Sequence, residues 1–590
     1  MSQDKTRRLP GIRVEAAEPP LRTELPRLDI AAFVGFAERL PPDQPFVLES
    51  PDTFATAFGG DVELAWDEAA GRVVNGQLGA AVRAFFAQGG RRCYVLGVTP
   101  PARNRALDLG VFLDRDLAGV SPETLVEVAN DLQFGSPTPR ALAGIYAVLS
   151  MEEPSLIAVP DAVLAGWSLE PAEQASELPP APVLSVQAQG RTVVSLSWTA
   201  VPSANRYAVE EASAPSFTQS VEVNDTTETS LQREAARHEI PRRRFWRVRA
   251  FAGVLTSAWS NVVSESLPAE VFGRCASDLP SLPATLTALP AEHVAVPSDL
   301  PRLKRPEEFT DADHAALLAV HRALLRLCRA RGDLFAVLSL PAHADAAFAR
   351  RHLAALQPDS KSPLALARAF DVPPLSGAEA ESLSFGALYH PWLTSPNATG
   401  TLASSPPDGA ACGLIARRTL ARGAWIAPAN EALPGVVALQ PAFTQAARQQ
   451  LRDLQVNEIL LLADGIRCLA ADTLCPQPEL RAINVRRLLM LLRRLAQREG
   501  AALVFEPHGD ALRRWVQRTF EDLLDRLFRL GAFAGRTRTE SFQVVTDDSL
   551  NPPASVDAGR FVVELRVAPS QPLEFLTVRL VGSQGRLEVI

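Results

Sequence analysis

Eight histidines are the first residues of this 590-residue chain to test for chemistry, because imidazole binds metals and transfers protons near neutral pH. His314 and His321 are seven residues apart and can share one helix face, but no HExxH arrangement places a carboxylate beside them. His343 and His352 lie in an Ala/Arg-rich stretch, which favours a solvated helix over a metal site. Structural roles are expected for two isolated histidines, His390 and His508.

Motifs that bind nucleotides or activate nucleophiles do not occur in the sequence. There is no G-x-x-x-x-G-K-[ST], no G-x-G-x-x-G after a strand pattern and no G-x-S-x-G. Glu506 and Asp510 could form a carboxylate pair, although a strand end followed by a helix cap explains both. Arg486 and Arg487 could hold a phosphate, but a solvated or partner-facing helix face is favoured. The sequence therefore predicts no catalytic residue, no metal site, no cofactor and a structural protein rather than an enzyme.

Composition excludes several further classes. The 59 Lys and Arg minus the 67 Asp and Glu give a net charge of −8, which offers no electrostatic basis for binding nucleic acid. Six cysteines are scattered without a CxxC pair, so buried, reduced thiols are expected. No apolar run reaches the ~18 residues of a membrane-spanning helix. The first 20 residues have no apolar core of a secretory signal, so folding in a cytoplasm is expected.

The pattern along the chain begins as α/β. A buried strand is predicted at 30–34, an amphipathic helix through Leu78 to Phe86 that stops at a Gly pair, and a second strand at 93–98. The pattern is helical over 122–150, and 156–159 reads as a further buried strand.

The periodicity changes to two after a Pro-rich stretch. Short alternating strands carry Trp198, Tyr207, the run FWRVRAF and the closing run SAWSNVVS. This ordered set resembles a fibronectin type III domain, an all-β sandwich. A helix predicted at 312–330 and the strand LFAVLSLP then resume the α/β pattern, so the sandwich is expected to be inserted into a larger body.

The last 110 residues are strongly patterned. One helix carries a Leu-rich stripe from Val485 to Leu495 with arginines opposite, and a second runs through Leu512 to Leu527 and ends at Gly531. A half-buried strand is predicted over 561–567. The predicted division of the chain is an arm at 1–26, body at 27–168, linker at 169–182, sandwich at 183–266, linker at 267–309, central domain at 310–475, C-terminal domain at 476–570 and strand arm at 571–590.

Three groups of segments together resemble the contractile tail sheath proteins of phages, phage-like bacteriocins and extracellular contractile injection systems. The first group is PRLDIAAFVGFAER and GQLGAAVRAFFAQGGRRCYVLGV. The second is ALYHPWL, PPDGAACGLIARRTLARGAWIAPANEAL and LQVNEILLL. The third is INVRRLLMLLRRLAQREGAALVFEP, WVQRTFEDLLDRLFRLGAFAG and GRFVVELRVAPSQPLEFLTVRL. The resemblance extends over about 28–100, 120–168 and 310–582, and the fibronectin-like insertion is a departure from the family pattern.

The resemblance implies a mixed α/β (α+β) tail-sheath fold and a structural role. Subunits of this family polymerise as stacked hexameric rings around an inner tube and shorten to drive the tube into a target. The implied partners are further copies of this chain, the inner tube protein, and baseplate and cap or terminator proteins, with no nucleic acid and no membrane insertion. The implied location is the bacterial cytoplasm during assembly and then a phage-like particle.

The same resemblance assigns assembly roles to residues. Strand exchange between subunits is expected to involve Ile12, Val14, Phe561, Val563, Leu565, Val567, Arg579, Leu580, Val581, Leu587, Val589 and Ile590. The alternative is that both tails fold back on their own subunit or fray. The helix 511–530 is the candidate tube-facing element through Arg513, Arg514, Arg518 and Arg526, and a solvated face is the alternative.

Two functions from other classes stay open on the sequence alone. A secreted adhesin would account for the fibronectin-like domain but not for the α/β majority. A carbohydrate-active enzyme with an accessory module would need two carboxylates about 5–10 Å apart, and no such pair can be nominated. Polymerisation would distinguish a sheath subunit from both.

Overall fold

The computed structural model describes residues 24–42, 45–68, 70–168, 181–189, 193–202, 204–212, 217, 220–234, 242–252, 255–267, 300–397, 400–501, 509–552, 562–570, 580–583 and 586–589. They divide into two compact units, which are taken in turn. The body unit spans Asp29–Asn484, and the terminal unit joins the described residues before Asp29 to those after Asn484.

The first part of the body unit alternates strands and helices, as its sequence pattern predicts. Its strands are β1 (Ala31–Phe36), β2 (Phe46–Leu48), β3 (Glu63–Asp67), β4 (Arg72–Asn75), β5 (Cys93–Val98) and β6 (Leu156–Ala158). Its α-helices are α1 (Asp52–Phe58), α2 (Leu78–Ala87) and α3 (Leu125–Asn130).

The helical segment predicted over 122–150 is more broken than its pattern indicates. Helix α3 continues as a π-helix over Asp131–Gly135, and a 3-10 helix follows over Gly144–Ser150. Pro137 and Pro139 lie between them, and proline removes the N–H that a continuous helix needs.

In its described residues, the predicted sandwich has eight strands in two sheets. They are β7 (Leu184–Gln189), β8 (Val193–Trp198), β9 (Arg206–Ala212), β10 (Ser220–Thr226), β11 (Ser230–Glu234), β12 (Arg242–Ala252), β13 (Leu255–Thr256) and β14 (Val263–Leu267). One sheet has the order β11-β8-β7, and the other has β10-β9-β12-β13 with β14 also paired to β12. Between them lies a core of alternating inward residues that includes Trp198, Tyr207 and Trp246. This confirms the fibronectin-like sandwich predicted from the period of two.

The second part of the body unit returns to α/β. Its strands are β15 (Phe335–Ser339), β16 (Gly386–His390), β17 (Trp392–Pro396), β18 (Leu402–Ser405), β19 (Glu431–Ala432), β20 (Ala438–Gln440), β21 (Asn457–Leu462) and β22 (Gly465–Cys468). Its α-helices are α4 (Asp311–Arg331), α5 (Ala346–Leu356), α6 (Pro363–Leu366), α7 (Asp408–Arg422), α8 (Gln445–Asp453) and α9 (Pro478–Arg481). Helix α4 confirms the helix predicted at 312–330; a Thr310 capping box begins it and Gly332 in the left-handed conformation ends it.

One nine-stranded sheet unites the two parts of the body. Its order is β19-β22-β21-β16-β15-β6-β1-β5-β2, and the six strands from β21 to β5 are parallel. Strand β6 precedes the sandwich in sequence and β15 follows it, yet the two are neighbours in the sheet. The sandwich is therefore an insertion into one body rather than a separate link in a chain of domains.

The chain leaves and re-enters the body at adjacent points. The Ser168 N–H donates to the Arg302 carbonyl at 2.8 Å, and Trp167 forms an antiparallel bridge with Leu303. Residues 301–303 also bond to Trp66 on their other side. Residues 300–305, which the sequence pattern assigned to a linker, are thus a strand-like part of the body.

The terminal unit contains the two long C-terminal helices. Helix α10 spans Ile483–Ala501, α11 spans Asp510–Arg529 and α12 spans Arg538–Ser541. The strands are β23 (Phe542–Val545), β24 (Glu564–Val567), β25 (Leu580–Ser583) and β26 (Arg586–Val589). Strand β23 pairs with β24, and β25 pairs with β26, both antiparallel.

Candidate assembly interface

The arginine face of α10 binds the start of the described chain. The Arg494 and Arg498 guanidinium groups donate to the carbonyls of Arg27 and Glu24, each at 2.6 Å, and Arg487 donates to the Leu28 carbonyl. Arg487 is 1% exposed. The expectation of a solvated or partner-facing face is therefore wrong at Arg486 and Arg487, which are both buried. Charged donors to backbone carbonyls tie residues 24–28 to this helix.

The four arginines predicted to face a tube differ in their surroundings. Arg514, Arg518 and Arg526 are exposed and follow one another along α11 at spacings of four and eight residues, so they lie on one i, i+4 ridge of the helix. Arg513 is half-buried, and its guanidinium donates to Asp548 at 2.6 Å and to the Asn551 carbonyl at 3.3 Å. Arg513 is thus less exposed than the other three and is bonded to residues of its own unit.

A buried asparagine fixes the strand predicted to receive a neighbour's strand. The Asn551 side chain accepts the Val562 N–H at 2.7 Å and donates to the Val562 carbonyl at 2.8 Å, as an adjacent strand would. Asn551 is 0% exposed. The arrangement holds the chain in place just before β24, which starts at Glu564. Sequence patterns do not show this role, because a lone asparagine in a loop has no distinguishing signal.

Strand β24 carries two of the predicted exchange residues. Leu565 and Val567 lie opposite Val544 and Phe542, and Val563 immediately precedes the strand. In the described part of the chain β24 pairs with β23 only, so it has one edge without a strand partner. Phe561 lies outside the described residues.

The predicted donor side forms a hairpin. Leu580 and Val581 belong to β25 and lie opposite Val589 and Glu588 of β26, and Leu587 lies opposite Gly582. A two-stranded hairpin by itself is only marginally stable in water. Four other predicted exchange residues lie outside the described part of the chain: Ile12, Val14, Arg579 and Ile590.

Three of the histidines form a buried chain in the body unit. His314 Nε2 lies 3.0 Å from His352 Nδ1, and His352 Nε2 lies 2.9 Å from His321 Nδ1. All three are at most 2% exposed. The solvated helix expected around His352 is therefore wrong: α5 turns this residue onto α4 instead of into water. His390 is also buried and bonds to the Ala344 carbonyl at 2.9 Å.

Burial sets the protonation of this histidine chain. It lowers the pKa of His314 to about 4 and that of His321 to about 3, and it lowers the pKa of His352 well below 6.5. All three rings are therefore neutral at pH 7. Among the described residues there is no group of three or more His, Cys, Asp or Glu side chains placed to hold a metal ion. Five cysteines are buried, as expected, and form no disulfide among the described residues; Cys275 lies outside them.

A buried carboxylate fills the point at which parallel sheets of this kind bind ligands. The strand order reverses between β1 and β6, and such reversal points form ligand crevices at the carboxyl ends of strands. Asp161 follows β6 there and accepts the Phe36 N–H at 2.8 Å and the Gln77 N–H at 2.6 Å. A Cβ on Gly35 would lie 2.4 Å from an Asp161 carboxylate oxygen, so the fold accommodates this contact with glycine. The amides that a phosphate would use are bound to the chain's own side chain.

Burial raises the pKa values of two carboxyl groups near this point, Asp161 and Asp408. Asp408 begins α7 and is 1% exposed, and Asp161 is 0% exposed. Burial raises the pKa of each to about 7. Repulsion from Asp61 adds to the effect at Asp161, and repulsion from Asp161 adds to it at Asp408. In addition, none of the described helices is both long and apolar enough to cross a membrane.

Comparison with known proteins identifies the fold. No protein-family model matches the sequence, and no curated protein is similar to it. Among solved structures, a chain of the anti-feeding prophage (AFP) baseplate in its contracted state matches at 17% identity and a TM-score of 0.50, over 98% of this chain and 99% of that one. The AFP helical sheath in its contracted state matches at 15% identity and a TM-score of 0.49, over 98% of this chain and 100% of that one. The sheath complex of PVC, an extracellular contractile injection system, matches at 14% identity and a TM-score of 0.48, over 98% and 99%.

The likeness spans nearly the whole chain and includes both units described above. It agrees with the order of the segments that carried the sequence resemblance. The chain therefore has the fold of a chain of the AFP baseplate. The mixed α/β fold with an inserted sandwich is confirmed.

Proposed function

We propose that this protein is a structural sheath subunit of a contractile, phage-tail-like injection system. It polymerises as stacked hexameric rings around an inner tube, and the polymer shortens to drive that tube into a target. The observation that carries the proposal is the end-to-end likeness in fold to a chain of a contracted particle, combined with the ordered sheath-like segments of the sequence. The buried Asp161 supports a structural role, since it accepts the backbone N–H groups of Phe36 and Gln77 that a phosphate would need.

The energy for shortening comes from two packings of the same subunits rather than from nucleotide hydrolysis. The partners are other copies, an inner tube protein, and baseplate and cap or terminator proteins. Assembly takes place in a bacterial cytoplasm before the particle is released.

Electron microscopy of the purified full-length protein tests this proposal. Negative stain of the protein, alone and with its candidate tube protein, should show ringed or helical cylinders with lateral knobs from the sandwich. Particles that stay monodisperse in both conditions, including after addition of preformed baseplates, would contradict it.

Strand exchange between subunits is the mechanism that we propose for holding rings together while they rotate. Main-chain hydrogen bonds to an added strand persist while the flanking segment turns. The free edge of β24 and the marginal β25–β26 hairpin support the model. Deleting residues 1–20 or 571–590 should leave a soluble monomer that forms no cylinders by negative stain. Normal cylinders from either truncated protein would contradict the strand-exchange model.

The tube contact is proposed for the exposed ridge of α11. Arg514→Glu, Arg518→Glu and Arg526→Glu together should weaken tube co-sedimentation at least 10-fold at low salt, because exposed charge pairs are screened by salt. Arg513→Glu is not a matched control because Arg513 is held by Asp548; Arg422→Glu, on the exposed end of α7, serves instead. Unchanged tube binding by the triple variant would remove this part of the proposal.

A further inference from the structure

The body unit contains a large cleft outside the carboxyl edge of its sheet. Its volume is about 1230 Å³, above the range of about 300–1,000 Å³ that is usual for small-ligand pockets. It is lined by the segments that follow β6, β15 and β16, by the start of α2, and by the two short strands β4 and β18. We call this space the carboxyl-edge cleft.

Two strand edges lie along the cleft. All four residues of β4 and all four of β18 line it. In the described part of the chain β4 pairs only with β3, and β18 only with β17. Each strand therefore has N–H and C=O groups on its second edge without a ladder partner, and such edges accept an added strand.

The wall of the cleft also presents unsatisfied oxygen atoms. Asn75 Oδ1, Gln77 Oε1, Gln88 Oε1 and Ser404 Oγ are buried and have no hydrogen-bond partner among the described residues. The amide nitrogens of Gln77 and Gln88 donate to the carbonyls of Asn75 and Pro434, at 2.7 and 2.8 Å. These bonds fix which atom of each amide is left over, and in both cases it is the acceptor. Buried acceptors without donors are costly, so the cleft is built for a donor-rich occupant.

The charges of the cleft do not favour an anion. Asp161 occupies the amides of Phe36 and Gln77 beneath it. Arg83 is paired with Asp61, and the Lys304 ammonium lies 2.8 Å from both Asp313 oxygens. Among the described residues, the four cations that line the cleft, Arg72, Arg83, Lys304 and Arg305, are matched by four lining carboxylates, Asp61, Asp67, Glu68 and Glu307. This lining therefore has no excess of positive charge to hold a phosphate, whereas backbone N–H donors would satisfy the wall.

We propose that the carboxyl-edge cleft binds an extended segment of a second copy of this chain, by strand addition along β4 or β18. The inference rests on the proposed function, because a polymer of identical subunits brings copies of the chain to every lateral face. The segment's N–H groups pair with the free strand edge and with the amide oxygens of Asn75, Gln77 and Gln88. The cleft thus adds a second point of strand exchange to the body unit, apart from the β24 edge of the terminal unit.

Peptides tiled across this chain's own sequence test the inference. Biotinylated 12-residue peptides are measured by biolayer interferometry against dilute, unpolymerised full-length protein. At least one contiguous set of tiles should bind the wild-type protein. Ala84→Trp, which fills the cleft from α2, should weaken that binding at least 10-fold, whereas Ala55→Trp on the exposed face of α1 should leave it unchanged.

Absence of any binding tile, or equal binding by the wild type and Ala84→Trp, would overturn the inference. Ala403→Arg on β18 is the second blocking variant if Ala84→Trp alters the circular dichroism spectrum. Cylinders without a binding tile would reject only the cleft. If a tile binds the wild type and Ala84→Trp weakens that binding, but the protein never polymerises, the result would instead reject the proposed function.

Discussion

At the scale of single residues, hydrogen bonds join three buried histidines of the body unit into one chain. At one end of the histidine chain, His314 Nδ1 is buried without a hydrogen-bond partner among the described residues. Donation that runs from His314 through His352 to His321 leaves that atom as an acceptor, which costs less than a buried N–H without an acceptor. This direction of donation assigns one tautomer to each of the three rings.

The three hydrogen-bonded histidines make the stability of the body unit sensitive to acid. The folded-state pKa of each of the three histidines lies below the ordinary value of 6.5, so the unfolded chain binds more protons as the pH falls. Their contribution to stability is complete above pH 6.5 and is lost progressively toward pH 4. Asp311 and Arg351 are the nearby charges, and they act on His314 in opposite directions.

We expect the free energy of unfolding to fall by as much as about 1.4 kcal/mol per pH unit for each histidine that gains a proton on unfolding. Urea unfolding followed by tryptophan fluorescence between pH 7 and 4.5 measures the slope. His321→Phe removes one of the three groups and should flatten it by that amount. Equal slopes in the two proteins would show that the chain does not control acid stability.

The buried carboxylates change the stability of the body unit with pH in the opposite direction to the histidines, over part of the same pH range. The pKa values of Asp161 and Asp408 are raised to about 7, so the folded state holds protons that the unfolded chain releases. Their contribution is complete below pH 3.8 and is lost as the pH rises through 7. Opposed histidine and aspartate terms place the stability maximum of the body unit in mildly acidic to neutral solution.

At the scale of elements, packing decides which faces of a helix stay available for partners. The arginines of α10 and α11 follow similar patterns in the sequence, yet those of α10 bind residues 24–28 while three of α11 remain exposed. Periodicity identifies the polar face of a helix but not what covers it. This difference could not be predicted, because residues 24–28 and α10 are more than 450 positions apart.

A substitution at Asn551 tests whether its side chain stabilises the β23–β24 pair. Asn551→Leu removes two part-buried hydrogen bonds to the Val562 backbone, and each such bond contributes about 0.5–1.5 kcal/mol to stability. Hydrogen exchange of β23 and β24 should accelerate by about 10-fold or more, since each 1.4 kcal/mol corresponds to a factor of ten. Gln543→Leu, an exposed position on β23, is the matched control. Unchanged protection in Asn551→Leu would mean that the side chain does not hold the strand.

At the scale of the whole molecule, the elements were predictable from local patterns and their long-range contacts were not. Strand β5 matches its predicted bounds, and α4 and α11 match to within a few residues, because period and end signals are local. The neighbours in the large sheet, the histidine chain and the Asp161 site all join residues from distant segments. The inserted sandwich was predictable because its period of two contrasts with the flanking α/β pattern.

The insertion predicts that the body folds without the sandwich. Ser168 and Arg302 are hydrogen-bonded neighbours, and β6 and β15 pair directly, so the body needs only a turn to connect them. Replacing residues 169–299 by a short Gly/Ser loop should leave a soluble protein whose melting temperature lies within a few degrees of the full chain. Closing a short loop also costs less entropy than closing a long one.

Negative-stain microscopy of the variant that lacks residues 169–299 distinguishes the role of the sandwich in assembly from that of the body. Cylinders of normal diameter without lateral knobs are expected, because the large sheet and the terminal unit retain every strand that they contribute. Replacing only the exposed residues Pro137–Pro139 by the same Gly/Ser sequence controls for the engineered linker. Soluble, folded protein that no longer forms cylinders would show that the sandwich bridges subunits, and an insoluble product would show that it is part of the body's core.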